Sequence, residues 1–221
     1  MIIKTAGTSN ITDSTTVINL RCPACRQLGT FQAFTKLPDL LVSVYAQEGK
    51  SSTPYTIGQR KCPNTNCNSH IFMAYDQSTQ KVVITYPAER IDFDSANIPT
   101  AVLSALEEAV TCHANHCLVA SAIMIRKTLE ELCRDRGATG SNLKERIKQL
   151  QGKVILPQEL LEGLDDLRLL GNDAAHIESQ HYNKIGQEEV DLAIEVTKEV
   201  LKSVYQYSSL ISKLRALKKS V

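Results

Sequence analysis

Two short cysteine knuckles constrain this chain more than any other feature. "RCPACR" puts two residues between Cys22 and Cys25, and "RKCPNTNCNSH" puts four between Cys62 and Cys67. Tetrahedral Zn²⁺ prefers thiolates, and two knuckles joined by a small sheet supply four of them from a segment with little apolar core of its own. The expectation is a structural Zn²⁺ on Cys22, Cys25, Cys62 and Cys67, because four protein ligands leave no open position for catalysis. The second knuckle is wider than usual, so His70 stands as a replacement for Cys67. Ordinary buried thiols or a redox pair are the alternative reading. Arg21, Arg26, Arg60 and Lys61 flank the knuckles. They either offset the negative charge of a four-thiolate centre or contact phosphates.

Around the knuckles the grammar is that of strands. "TTVIN", "LLVSVY", "HIFMAY" and "VVITY" are β-branched or aromatic runs divided by Gly, Ser, Pro and Asn clusters, and "IFMAYDQSTQKVVITY" predicts a hairpin turning over residues 76–81. From Pro87 to Pro99 neither period holds, which reads as a linker. Beyond Pro99 the apolar period is helical: Val102, Leu106, Ala109 and Val110, then Leu118, Ala122, Ile125, Leu129 and Leu132. Gly137 suits a helix stop, Asn142 with Glu145 a capping box, Pro157 a first helical position and Gly186 a helix start, which gives four or five helices. The last, from Gln187 to about Leu217, is 31 residues long with apolar residues on more than one flank, so it needs cover and predicts a homodimer. The fold class is therefore α+β, with a zinc-ribbon-like β domain and linker over residues 1–97 and an all-α domain over residues 98–221.

The charge balance is 25 basic against 24 acidic residues in 221, so no global field draws the chain onto nucleic acid or anionic lipid. RNA or DNA contact would have to be local. The amino terminus lacks an apolar core with a basic flank, and no apolar run reaches about 18 residues, so the expectation is a cytoplasmic protein with no membrane span. In a reducing compartment seven cysteines are metal ligands or buried thiols rather than disulfides.

Three further clusters attract attention. In "CHANHC", Cys112 with His116 and His113 with Cys117 stand at chelating spacing, but two helical ligands do not complete a site, and the simpler reading makes Cys112 and Cys117 small buried residues. Cys133 follows the core face of its helix. In "RLLGNDAAH", Arg168, Asn172 and His176 recur at four-residue steps, an arc of about 80° on a continuous helix. They either form a site or cap and trim a helix end. The tail "SKLRALKKSV" carries Lys213, Arg215, Lys218 and Lys219, a solvated helix end or a phosphate contact.

The run "EEAVTCHANHCLVASAIMIRKTLEELCRDRG", with "LKERIKQL" and "LRLLGNDAAH", resembles an uncharacterised prokaryotic helical domain also found fused to type I restriction-enzyme subunits and grouped with HEPN-like domains. The resemblance spans residues 98 to about 207 and rests on Arg126, Leu129, Glu130, Arg168, Gly171, Asn172, Ala175 and His176. The cysteine pairs, the "YP" and the "IDF" also resemble the amino-terminal zinc ribbon of such proteins. What it implies is a helical bundle that pairs with a second copy. Active members of that group are metal-independent RNases, often toxins or antiphage effectors, whose arginine and histidine meet at the dimer seam. Here seven residues separate Arg168 from His176, more than the usual motif carries, and apolar Leu169 follows the arginine where that motif has a polar residue. If the site works, His176 takes a proton from a ribose 2′-hydroxyl, Arg168 stabilises phosphate charge and Asn172 orients either group. Arg126 and Glu130 hold that set or form a simple intrahelical ion pair. The expectation is a nucleic-acid-related antiphage defence role, as an RNase across a homodimer seam if the site works; the alternative is a non-catalytic module that binds nucleic acid or a partner protein.

Overall fold

The computed structural model describes residues 5–11, 16–34, 37, 39–44, 53–176 and 185–218; Thr15, Tyr45 and Lys219, part of the expectations above, lie outside them. The chain divides into two compact units, Met1–Arg90 and Ile91–Val221. The first is β and the second helical, so the class is α+β. The division falls earlier than the expected boundary because Phe93 and Ile98 sink into the helical core, with Ile91 packed against it. Three residues of the segment that reads as linker therefore anchor it to the helical core.

The first unit carries more strands than the four runs quoted from the sequence. Seven antiparallel strands form one sheet: β1 (Thr5–Ile11), β2 (Ile18–Arg21), β3 (Leu28–Ala33), β4 (Asp39–Val44), β5 (Thr53–Lys61), β6 (His70–Asp76) and β7 (Lys81–Tyr86). β5 is the hub. Its first half pairs with β4 (Leu40 opposite Ile57), its last residues with β3 (Ala33 opposite Arg60), and its other edge with β6 (Arg60 opposite Ile71). The core alternates as strand geometry requires: Ile18 and Leu20 of β2 and Ile71 and Met73 of β6 point inward with Phe31, while Phe72 between them is 57% exposed. The hairpin turns at residues 77–80, with Asp76 Oδ1 accepting from the Ser78 and Thr79 N–H groups.

Arg60 corrects an expectation. It is neither a companion of the metal site nor a phosphate contact: its side chain is 0% exposed and forks onto the Asp39 carboxylate, Nη1 to Oδ1 at 2.8 Å and Nη2 to Oδ2 at 2.7 Å. Nε and Nη1 also donate to the carbonyls of Thr16 and Gln59. The β4–β5 register brings Asp39 alongside Gly58, and a Cβ there would lie 1.7 Å from Asp39 Oδ1. Only glycine lets the carboxylate cross its neighbouring strand to reach Arg60.

Among the described residues the second unit has six helices: α1 (Thr100–Ala114), α2 (Leu118–Asp135), α3 (Leu143–Leu150), α4 (Gln158–Ala175), α5 (Gln187–Tyr205) and α6 (Tyr207–Ala216). The predicted faces of α1 and α2 are inside, with Val102, Leu106, Ile125 and Leu132 at 0% exposure. Local chemistry sets the ends. Asn142 Oδ1 accepts from Glu145 N at 3.0 Å while the Glu145 carboxylate accepts from Ser141 N, and that contact and the Ser141 hydroxyl hold its pKa below the usual carboxylate value. Pro157 stands one position before the first residue of α4. The expected 31-residue helix is two helices. Gln206 (φ −111°, ψ −34°) breaks it, its side-chain amide donating to the carbonyls of Asp94 and Ala96. Among the described residues no helix is long and apolar enough to cross a membrane.

Candidate functional site

The four cysteines of the knuckles converge. Their sulfurs all lie within 4.8 Å of one another, with Cys22 to Cys67 at 3.8 Å and Cys25 to Cys62 at 3.7 Å. A tetrahedral ion with metal–sulfur bonds of about 2.3 Å has sulfur–sulfur edges of about 3.8 Å. The cluster is compatible with such a centre. Both loops are built alike: Cys22 N donates to the Gln27 carbonyl and Cys62 N to the Ser69 carbonyl, and the residue after each second cysteine, Arg26 (φ 61°) and Asn68 (φ 52°), turns left-handed. The two extra residues of the second loop are absorbed by Asn64, whose carbonyl accepts from both Cys67 N and Asn68 N. His70 stays outside, its Nδ1 bonded to Gln59 Nε2 at 2.7 Å and its ring against Phe34.

The thiols are unequal. The Ser69 hydroxyl and N–H hold the Cys67 thiol down at about 6. Burial pulls Cys22 up, but Ser69 and the Ala24 and Cys25 N–H groups outweigh it and leave it below its ordinary value. Burial pushes the Cys62 thiol up to about 12, and the neighbouring sulfurs add to that. Four thiolates therefore need a cation among them to coexist. Ser69, whose Oγ is 3.1 Å from Cys22 Sγ and 3.2 Å from Cys67 Sγ, was not singled out in the sequence; its place two residues after the last cysteine is the only signal. Arg21 is part of the same frame, its Nη1 donating to the Arg26 carbonyl at 2.7 Å.

In the helical unit the resemblance residues meet along the contact between α2 and α4. Arg126 Nη1 donates to Asn172 Oδ1 at 2.5 Å and its Nε faces Glu130 Oε1 at 3.4 Å. Gly171 permits the approach, since a Cβ there would lie 2.5 Å from Arg126 Cβ and 3.2 Å from the Ala122 carbonyl. Gly171→Ala is expected to lower the stability of this unit by about 1–2 kcal/mol in urea titration, overpacking outweighing alanine's advantage of about 1 kcal/mol within a helix. Arg168 turns the other way. It reaches back one turn to Asp165, Nε to Oδ1 at 2.6 Å and Nη2 to Oδ2 at 3.2 Å, and its side chain is 12% exposed. His176 caps the far end of α4, exposed, its N donating to the Asn172 carbonyl at 2.9 Å. Eight residues of helix put it about 12 Å along the axis from Arg168. Within one chain Arg168 and His176 do not meet.

"CHANHC" makes no second centre. Its helix ends at Ala114, so neither four-residue pair shares one, and Cys117, expected inside, is exposed at the start of α2. His113 instead ties α1 to α5, its Nε2 paired with Asp191 Oδ1. Cys133 is core, 0% exposed, and burial pushes its thiol up to about 11. Among the described residues the four knuckle cysteines are the one group suited to hold a metal.

The model of the Domain of unknown function DUF4145 family matches residues 107–219, just over half of the chain. The chain belongs to the DUF4145 family. No curated protein and no solved structure matches it. The DUF4145 region takes in most of α1 and all of α2 to α6, hence Arg126, Arg168, Asn172 and His176. The cysteine centre precedes it.

Proposed function

We propose that this protein is a zinc-stabilised binding module rather than a nuclease. Zinc is the ion a tetrahedral set of four thiolates suits, and with no open position it is structural. One observation carries the non-catalytic reading: the Arg168 guanidinium is already forked onto Asp165 and Asn172 is already held by Arg126. A site that acts on phosphate keeps such donors free around an open groove. Here Arg168 is tied within α4 and Asn172 to α2.

His176 favours a second reading, a HEPN-like defence RNase assembled across a homodimer. It is exposed at a helix end, where a second copy could bring an arginine to it. Arg168 would first have to leave Asp165. The single long helix that predicted the homodimer is divided at Gln206. Incubation of the purified protein with total RNA, without divalent metal and beside His176→Ala, distinguishes the two. No cleavage by either protein is the expected result; cleavage that disappears with His176 would establish the RNase and end the binding-module reading. Native mass spectrometry is expected to find one zinc per chain.

A further inference from the structure

α6 buries none of its residues. Tyr207, Leu210, Ile211, Leu214 and Leu217 are 44, 61, 45, 61 and 81% exposed. At about 100° per residue they share an arc of about 120°, so this is an amphipathic helix with its apolar side uncovered. Arg215 borders that arc on one side and Lys213 on the other. Beside it, Tyr207 and Ile211 line a groove of about 480 Å³ with Val154, Ile155 and Val204, and Lys153 and Arg215 stand at its rim. Ile155 is 97% exposed. None of the side chains of Lys153, Lys213, Arg215 and Lys218 has an ion-pair partner among the described residues. The nearby acid, Asp135, accepts from the Tyr205 hydroxyl at 2.8 Å and faces Arg136.

We propose that this groove and the open side of α6 are the docking surface of the binding module, and that they take an amphipathic helical peptide whose apolar stripe is bordered by carboxylates. The inference rests on the binding-module reading and names its partner class. Apolar anchors enter the groove, and acidic flanks meet cations that have no ion-pair partner among the described residues. A second copy is disfavoured, because α6 carries no carboxylate to set against Lys213, Arg215 and Lys218. A bilayer is disfavoured by shape, since a concave groove suits an inserted side chain and a flat surface leaves it unfilled.

The test uses the full chain and a fluorescent helical peptide of about five turns, Leu on one face and Glu on both flanks. Controls are its Glu→Lys counterpart and vesicles of phosphatidylserine and phosphatidylcholine. The acidic peptide is expected to bind, more weakly as salt rises, and Leu214→Ser or the pair Lys213→Glu with Arg215→Glu is expected to weaken it at least about tenfold. Circular dichroism should show both variants folded, because α6 contributes nothing to the core. Equal binding of the two peptides, binding indifferent to both variants, or no binding would overturn the proposal. So would vesicle capture that depends on the same cations, or a dimer that Leu214→Ser dissolves. RNA inertness with a full zinc load leaves the binding module standing even if the peptide fails, whereas RNA cleavage removes the module whatever the peptide does.

Discussion

Cys62→Ser is expected to unfold residues 1–90 while residues 91–221 remain helical. Among the described residues the inner cluster of the β unit is small, and Cys22 and Cys62 are themselves in it, beside Ile18, Leu20, Phe31 and Ile71. Such a core cannot offset the conformational entropy of ordering seven strands. Structural zinc contributes on the order of 10–16 kcal/mol in small thiolate domains, comparable to the whole stability of a typical fold. Serine removes one of the four ligands and leaves three sulfurs around an incomplete shell. The helical unit keeps its own core around Leu106, Ile125, Leu164 and Ile194. The helical signal in circular dichroism should therefore survive while the strand amides lose their protection from hydrogen exchange. A strong chelator should do the same to the unsubstituted chain. A metal-free protein with intact strands would return the cysteines to ordinary buried thiols.

The second large effect belongs to Asp39→Ala. Arg60 and Asp39 are 0% and 1% exposed, so removing the carboxylate strands a guanidinium in the core. Breaking one side of a buried pair typically costs about 3–5 kcal/mol. For a unit of this size that lowers the melting temperature by at least about 12 °C. Asp39→Leu combined with Arg60→Met should lose far less, because it leaves no unpaired charge. Equal losses for the single and the double substitution would show that packing, not charge, makes the pair matter.

What the sequence could disclose follows from how far apart the partners are. The cysteine pairs are local spacings, and the faces of α1 and α2 repeat within a few residues, so both are readable. β5 is not. "TPYTIGQRK" carries Pro54 and Gly58 and ends in four residues with no β-branched or aromatic side chain, and it is a strand because three others pair with it. Arg60 sits beside a knuckle and invites a role there, yet its partner is 21 residues away in "PDLL". The break at Gln206 depends on carbonyls more than a hundred residues earlier, and no helical period could announce it. The candidate RNase set was legible as a spacing on one helix. That spacing was silent on whether Arg168 would turn toward His176 or back toward Asp165.

The central position of β5 also fixes an order of events during synthesis. Before it leaves the ribosome, β2 can pair with β3 and β1 with β4, but the strand that joins those two pairs does not yet exist. The metal ligands share the delay, since Cys67 follows Cys22 by 45 residues. At about 5–20 residues per second, that is roughly 2–9 s during which Cys22 and Cys25 form a bare dithiol. For that interval the first knuckle is open to oxidation and to copper, which binds soft thiolates more tightly than zinc does. On the zinc reading proposed above, cells short of zinc or under oxidant should accumulate the helical unit attached to an unfolded amino-terminal half.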